Sequence, residues 1–119
     1  MSNPQPQGVN AYQQTTSAAK TPRELEREII ARVTHQLKLA KEKRKDSILV
    51  ARAVSDNLSL WYVMISDLAS EGNQLPLEIR GNLISVGMAV VRECEQVDRT
   101  KVNLDFLITV NQSMIEGLA

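Results

Sequence analysis

The sequence predicts an all-α protein: a small up-and-down bundle of about four helices, preceded by a flexible N-terminal arm. Apolar residues recur at spacings of three and four along most of the 119 residues, as they do on one face of a helix. Helix-capping residues fall between these periodic stretches, and no stretch alternates between apolar and polar residues as a strand would. A chain of this length corresponds to one domain with one modest core.

Residues 1–20 are predicted to form the arm, and residues 21–119 the helical domain. The arm is rich in Asn, Gln, Pro, Ser and Thr, and residues 1–19 carry no side-chain charge. Such a segment buries too little apolar surface to offset the entropy lost on ordering. Tyr12 is its only aromatic residue, so Tyr12 is the side chain best suited to dock on the body or on a partner.

The first two helices are predicted over about residues 22–43 and 47–70. Thr21 and Glu24 form a capping box, with Pro22 at the first helical position. Asp46 or Ser47 can cap the second helix, whose two apolar rows indicate a central position in the bundle. Because no Gly or Pro interrupts residues 41–47, one continuous helix through this region is the alternative.

The last two helices are predicted over about residues 76–96 and 104–117. Gly72 suits the end of the second helix, Pro76 opens the third, and Asn103 can cap the fourth. The apolar stripes of the helices predict a largely buried set of side chains: Leu58, Trp61, Ile65, Leu83, Val86, Val90 and Leu107.

Composition points to the cytoplasm. The chain contains a single cysteine, Cys94, which cannot form an intrachain disulfide and fits a reducing compartment. The longest uncharged apolar stretches, residues 57–66 and 81–91, are shorter than the roughly 18 residues that a membrane span needs. Residues 1–19 have neither a basic nor an apolar region of the kind that a secretory signal contains. We therefore expect no stable membrane insertion.

No combination of residues predicts catalysis, a cofactor or a metal ion. His35 is the only histidine, and Arg32 and Lys38 share its helix face with the neighbouring glutamates, which is typical of a solvated surface. Cys94 lies near an apolar stripe and is interpreted as a core residue instead of a nucleophile. Phosphate-binding glycine loops and nucleophile elbows are absent from the sequence. We expect a protein that is not an enzyme.

Three further features each allow two interpretations. Residues 20–52 contain ten Lys and Arg against five Asp and Glu, and the later residues four against nine. The basic run at residues 41–45 could contact RNA phosphates or form a solvated helix end. Met64, Met88 and Met114 could line an adaptable groove for an amphipathic helix or fill gaps in the core. Trp61 is interpreted first as a core residue and second as an interface anchor.

Several motifs, taken in order, resemble one family. The chain is similar over about residues 9–118 to the FlaF family of flagellar biosynthesis proteins. The motifs that carry this resemblance are Asn10-Ala11-Tyr12-Gln13, Thr21-Pro22-Arg23-Glu24-Leu25-Glu26, Leu60-Trp61, Asp67-Leu68-Ala69, Gly72-Asn73-Gln74-Leu75-Pro76 with Arg80, and Leu107-Ile108-Thr109-Val110-Asn111-Gln112-Ser113-Met114-Ile115-Glu116-Gly117-Leu118.

The resemblance implies a cytoplasmic regulator needed for flagellin synthesis and export. It implies flagellin as the partner, bound in the manner of a secretion chaperone, since the terminal segments of flagellin are amphipathic helices that stay unpaired before polymerisation. The alternatives are post-transcriptional control of flagellin mRNA by direct RNA binding, and an adaptor role with the repressor FlbT. The candidate partner-binding residues are Tyr12, Trp61, Met64, Asp67, Asn73, Arg80, Met88, Asn111 and Met114.

Overall fold

The computed structural model describes residues 20–117, which fold into four helices. They are α1 (Pro22–Glu42), α2 (Ser47–Ala69), α3 (Leu77–Cys94) and α4 (Leu104–Gly117), and a 3-10 turn at Arg99–Lys101 connects α3 to α4. Residues 20–117 contain no strand, so the predicted all-α bundle is confirmed and the predicted bounds hold within about two residues. The predictions on the arm and Tyr12 lie outside the described residues.

Local capping explains where the helices begin. The Thr21 hydroxyl accepts a hydrogen bond from the Glu24 amide at 3.1 Å, which completes the predicted capping box. The Asp46 carboxylate accepts from the Leu49 amide at 3.1 Å, and the Asn103 side chain accepts from the Phe106 amide at 3.1 Å. Because Asp46 starts a new helix, α1 and α2 are separate, and the alternative of one continuous helix is excluded.

The helices do not pack around one axis with equal contacts. α2 packs against both α1 and α3, while α4 packs mainly against α1. The pair formed by α3 and α4 is not among those with extensive contact. Lys41, near the end of α1, forms an ion pair of 2.6 Å with Asp105 at the start of α4, so these two helices run antiparallel.

This arrangement gives the bundle two distinct ends. At one end, called the closed end, α1 and α3 terminate and α2 and α4 begin. At the other, called the open end, α1 and α3 begin and α2 and α4 terminate. The closed end contains most of the fully buried apolar side chains: Leu37, Ala40, Val50, Val54, Val90, Cys94, Val102 and Leu107.

Two polar contacts fasten the closed end. The Arg44 guanidinium donates to the carbonyl oxygens of Thr100 and Val102 at 2.9 and 2.7 Å. The Glu93 carboxylate accepts from the Asn103 amide at 2.8 Å, which ties the end of α3 to the start of α4. These bonds hold the turn between α3 and α4 against the α1–α2 connection.

Burial departs from the prediction at the open end. Trp61, Val90 and Leu107 are buried as predicted, and Leu58, Ile65 and Leu83 are half-buried. Val86, in contrast, is 39% exposed, so its predicted burial is wrong. The reason is that α4 does not run alongside this part of α3. The other exposed apolar side chains occur at both ends: Leu25, Ile29, Tyr62, Val63, Leu75, Leu77 and Ile79 toward the open end, Met88 beyond the middle of α3, and Ile48 and Val97 at the closed end.

Helix α2 is long and apolar enough to cross a membrane by length and composition. It is also the helix that α1 and α3 pack against. Seven of its residues are buried, from Val50 at the closed end to Leu68 at the open end. These buried residues make α2 the central helix of the packing between α1 and α3.

Candidate partner-binding site

A chain of buried polar side chains crosses the core. The Trp61 indole N–H donates to Asn111 Oδ1 at 2.9 Å, and Asn111 Nδ2 donates to Asn57 Oδ1 at 2.8 Å. Asn57 Nδ2 in turn lies 3.6 Å from Cys94 Sγ. All four residues are fully buried, so they join α2, α3 and α4 from inside. Trp61 and Asn111, both predicted to bind a partner, find their hydrogen-bond partners within this chain.

The same surroundings suppress the reactivity of the only cysteine. Burial raises the pKa of the Cys94 thiol, and a neutral thiol is a poor nucleophile. His35 is exposed on α1 and lines a surface depression with Lys38, Gln112 and Glu116. His35 is therefore not positioned to act as a base for the buried thiol of Cys94. Within residues 20–117, no three His, Cys, Asp or Glu side chains are grouped as metal ligands.

Three other candidate residues shape the loop between α2 and α3. The Arg80 guanidinium donates to the carbonyl oxygens of Leu68 and Ser70 at 3.3 and 3.2 Å, which satisfies acceptors left open at the end of α2. Asn73 donates to the Asp67 carboxylate at 3.2 Å and accepts from the Leu75 amide at 3.0 Å. Asp67, Asn73 and Arg80 thus fix the turn, and partner binding by them stays a prediction.

The three methionines do not form one groove. Met64 is buried in the core, and Met114 is half-buried against that core. Met88 is 45% exposed on α3, on the side of the helix away from Val86. Core filling therefore accounts for Met64, while Met88 and Met114 belong to different surfaces.

Apolar side chains lie on the flanks of α3 and α4 that make no extensive contact with each other; we call these two flanks together the α3–α4 groove. On α3, Glu93 marks the flank nearest the start of α4, because its carboxylate accepts from the Asn103 amide. Val86 and Ile79 lie two and four helical turns before Glu93 on that flank, next to half-buried Leu83. Ile65 of α2 packs against Gly87 of α3.

The second set of apolar side chains lies on α4. Gln112, Ile115 and Glu116 line the depression that α4 forms with α1, so the other flank of α4 is turned away from that depression. That flank carries Phe106, Val110 and Met114, which follow one another at a spacing of four. All three are half-buried and pack against the core. The groove therefore has apolar side chains on both walls.

Polar side chains are exposed next to these apolar residues: Asn82 and Ser85 on α3, and Thr109 and Ser113 on α4. Exposed ionisable side chains flank them at helical spacings: Glu78 and Arg92 on α3, and Asp105 and Glu116 on α4.

Part of the basic run at residues 41–45 is engaged at the closed end. Lys41 pairs with Asp105, and Arg44 donates to the two carbonyl oxygens described above. Lys43 and Lys45 are exposed. The run therefore offers a smaller free cationic surface than its sequence predicts.

Comparison with protein families identifies the family of this chain. The family model described as flagellar protein FlaF matches residues 9–118. The chain belongs to the FlaF family. This match covers nearly the whole chain, including the buried polar chain, the loop between α2 and α3, and the α3–α4 groove. It supports the conclusion that this is a flagellar protein. Comparisons with curated proteins and with solved structures give no match.

Sequence reasoning missed several residues that build this FlaF-family protein. Asn57 links the buried polar chain, yet its position beside an apolar stripe gave no sign of a partner 54 residues away in Asn111. Phe106 and Val110 were not assigned to a surface. Their spacing of four with Met114 is a second apolar row on the last helix, and this row is the signal that indicates a further contact.

Proposed function

We propose that this FlaF-family protein acts in flagellin synthesis and export by binding flagellin in the cytoplasm, as a secretion-chaperone-like helical module. The observation that supports this proposal is the uncovered apolar surface on one side of α3, where Ile79 and Val86 are 46 and 39% exposed. Grouped apolar side chains on a small protein mark interaction sites more often than chance exposure.

The proposed activity needs an apolar surface and no chemistry. A flagellin subunit before polymerisation has amphipathic helices without their final neighbours, and such helices aggregate in water. Covering their apolar faces removes that surface from water, at roughly 25 cal/mol for each Å² buried. A groove between helices suits this task because an amphipathic helix can insert its apolar face between two others.

Direct RNA binding receives less support from the structure. Affinity for RNA depends on Lys and Arg that can neutralise phosphates. Lys41 and Arg44 are engaged with Asp105 and with backbone carbonyl oxygens, which leaves Lys43 and Lys45 as the exposed part of the run. Among residues 20–117, Tyr62 is the one exposed aromatic side chain, so this part of the chain presents no row of aromatic side chains on which bases could stack.

Co-purification from nuclease-treated cell extract tests the proposal. We expect flagellin to co-purify with the tagged protein, and to do so in a Lys43→Glu/Lys45→Glu variant as well. The variant keeps Arg44, because replacing Arg44 would disturb the closed end. Recovery of flagellin only from untreated extract, or its loss in this variant, would favour the RNA mechanism. Recovery only in the presence of the repressor FlbT would favour the adaptor role.

A further inference from the structure

We infer that the buried polar chain, formed by Trp61, Asn111, Asn57 and Cys94, sets the orientation of α4 on α2. Its hydrogen bonds determine which side of α4 enters the core, and they contribute less to the stability of the fold. This inference is independent of the proposed function. Three observations support it: the chain can run in only one direction, α4 has little other contact with α2, and α4 presents two competing apolar rows.

The chemistry of the groups gives the buried polar chain its direction. The Trp61 indole N–H can only donate, so Asn111 presents Oδ1 to it at 2.9 Å. Asn111 Nδ2 then donates to Asn57 Oδ1 at 2.8 Å, and Asn57 Nδ2 lies 3.6 Å from Cys94 Sγ. Turning either amide over would place two donors face to face. Each of these side chains therefore fits its neighbours in a single arrangement.

Helix α3 holds the indole ring at the start of this chain. A Cβ on Gly87 would lie 3.1 Å from Trp61 Cε3, so the missing side chain lets the ring lie close to α3. Nε1 is on the opposite edge of the indole from Cε3. The ring therefore contacts α3 with one edge and donates to α4 with the other.

Few other contacts orient the second half of α4. This helix packs mainly against α1 and has no extensive contact with α2 or α3. Its start is held by burial of Leu104 and by the Glu93–Asn103 bond. Asn111 lies about two turns further on, and none of residues 112–117 is fully buried. Asn111 is thus the last fully buried contact of α4 toward the open end.

Apolar burial alone does not select the side of α4 that faces the core. Two adjacent rows at a spacing of four compete for that place: Leu107, Asn111 and Ile115, and Phe106, Val110 and Met114. The rows differ by one residue, so a rotation of about 100° exchanges them. The row that enters the core carries an amide, whereas the wholly apolar row stays half-buried. Burying an amide in place of a valine is unfavourable unless the amide is hydrogen-bonded.

The hydrogen bonds therefore act by penalising the alternatives. A buried hydrogen bond adds little net stability, because both groups also bond to water in the unfolded chain, but an unpaired buried group is costly. Rotation of α4 would leave the Trp61 N–H and the Asn57 amide without partners in the core. A single buried polar contact can specify one helix arrangement at a cost in stability. Here it keeps Phe106, Val110 and Met114 on the flank of α4.

Leucine substitutions separate orientation from stability. Asn111→Leu leaves the Trp61 N–H and the Asn57 amide unpaired, so we expect the thermal midpoint to fall by about 8 °C or more. Adding Asn57→Leu should restore about half of that loss or more, because apolar contact then replaces the two amides. The matched control is Gln112→Leu at the next, exposed position of α4, which should shift the midpoint by less than about 3 °C.

Methyl NMR of the full chain reports the orientation. The unmodified protein and Gln112→Leu should give one set of signals, with stronger Overhauser effects from the Trp61 ring to position 111 than to Val110. The double variant should give several sets of signals for α4, or effects of equal strength to both positions. One set of signals with the unmodified pattern in the double variant would overturn the inference. A folded double variant no more stable than Asn111→Leu would overturn it too, since the chain would then act mainly on stability.

Hydrogen exchange of the unmodified protein decides the question if the double variant does not fold. The Trp61 indole N–H should have a protection factor close to those of the backbone amides of Ile108 and Asn111, because it is released only when α4 leaves α2. A protection factor about tenfold lower or less would show that the hydrogen bonds open while α4 stays in place. The orientation of α4 would then not depend on them, and the inference would be wrong.

Discussion

At the closed end of the bundle, Val54, Val90 and Leu107 have no exposed surface, whereas at the open end Leu25, Ile79 and Val86 expose 44, 46 and 39% of theirs. Both ends consist of the same four helices with apolar stripes at the same spacings. The difference lies in the neighbours, because at the closed end the 3-10 turn and Arg44 bring α4 against α3, while toward the open end these helices are not held together.

The comparison separates the residues that stabilise the fold from those available to a partner. A fully buried apolar side chain contributes roughly 1.5–3 kcal/mol relative to an exposed one, so the closed end supplies most of the stability. The open end retains the same kind of side chain without that gain. Apolar surface left uncovered in this way is free to be buried on binding, and the proposed chaperone role makes use of it.

The largest expected effect comes from replacing valine by alanine at a buried and at an exposed position of α3. Val90→Ala at a fully buried position should lower the free energy of unfolding by about 2 kcal/mol, because it removes two methyl groups and leaves a cavity. Val86→Ala, one turn earlier on the same face of α3, should change it by less than about 0.5 kcal/mol. Urea unfolding followed by circular dichroism measures both.

Equal losses of unfolding free energy in Val90→Ala and Val86→Ala would contradict the difference in burial between the two ends of the bundle. Such a result would mean that the groove is filled in solution, since an exposed valine gains helix propensity on replacement by alanine and loses little packing. The m-value should stay the same in both proteins, which shows that the unfolded state is unchanged.

Two glycines of α3 offer a smaller pair of effects with opposite signs. A Cβ on Gly87 would lie 2.7 Å from Ile65 Cγ1 and 3.1 Å from Trp61 Cε3, so Gly87→Ala should destabilise the protein by about 1–2 kcal/mol through overpacking. Nothing lies within 4 Å of a Cβ on Gly81, and Gly81→Ala should stabilise it by about 0.5–1 kcal/mol. Thermal unfolding compares the pair, and destabilisation by Gly81→Ala would show that a neighbour covers the open end.

The helices and their bounds could be predicted because the signals are local. Thr21, Asp46 and Asn103 each cap a helix through a backbone amide three residues ahead, a distance that the sequence displays directly. Burial could not be predicted in the same way. Val86 and Val90 share one stripe, and only the path of α4 distinguishes them.

The structural roles of the candidate site residues could not be predicted, for a related reason, and their partner binding stays a prediction. Trp61, Asn111 and Arg80 were assigned to partner binding because they belong to the motifs of the resemblance. Their hydrogen-bond partners lie within the chain, 50 residues apart for Trp61 and Asn111 and 12 for Arg80 and Leu68. A sequence alone does not reveal which distant residues meet, so a structural role and a binding role look alike.

The smallest effect concerns the pH dependence of the closed end. Burial raises the pKa of the Cys94 thiol above its ordinary value of 9.0, so the folded state favours the neutral thiol. The resulting stabilisation is complete below the pKa of the unfolded state and is lost as pH rises through the pKa of the folded state. Above pH 9 the unmodified protein should therefore lose stability more steeply than a Cys94→Ala variant, by at most about 1.4 kcal/mol for each pH unit.

Urea unfolding of both proteins from pH 8 to pH 10 measures this difference. Tyr62, whose hydrogen bond to Glu95 also raises its pKa, titrates in the same direction in both proteins; because the charge of Cys94 contributes to the raised pKa of Tyr62, the comparison measures Cys94 together with this coupling. Parallel pH profiles would mean that water reaches the thiolate at Cys94, and the closed end would then be as open to solvent as the groove.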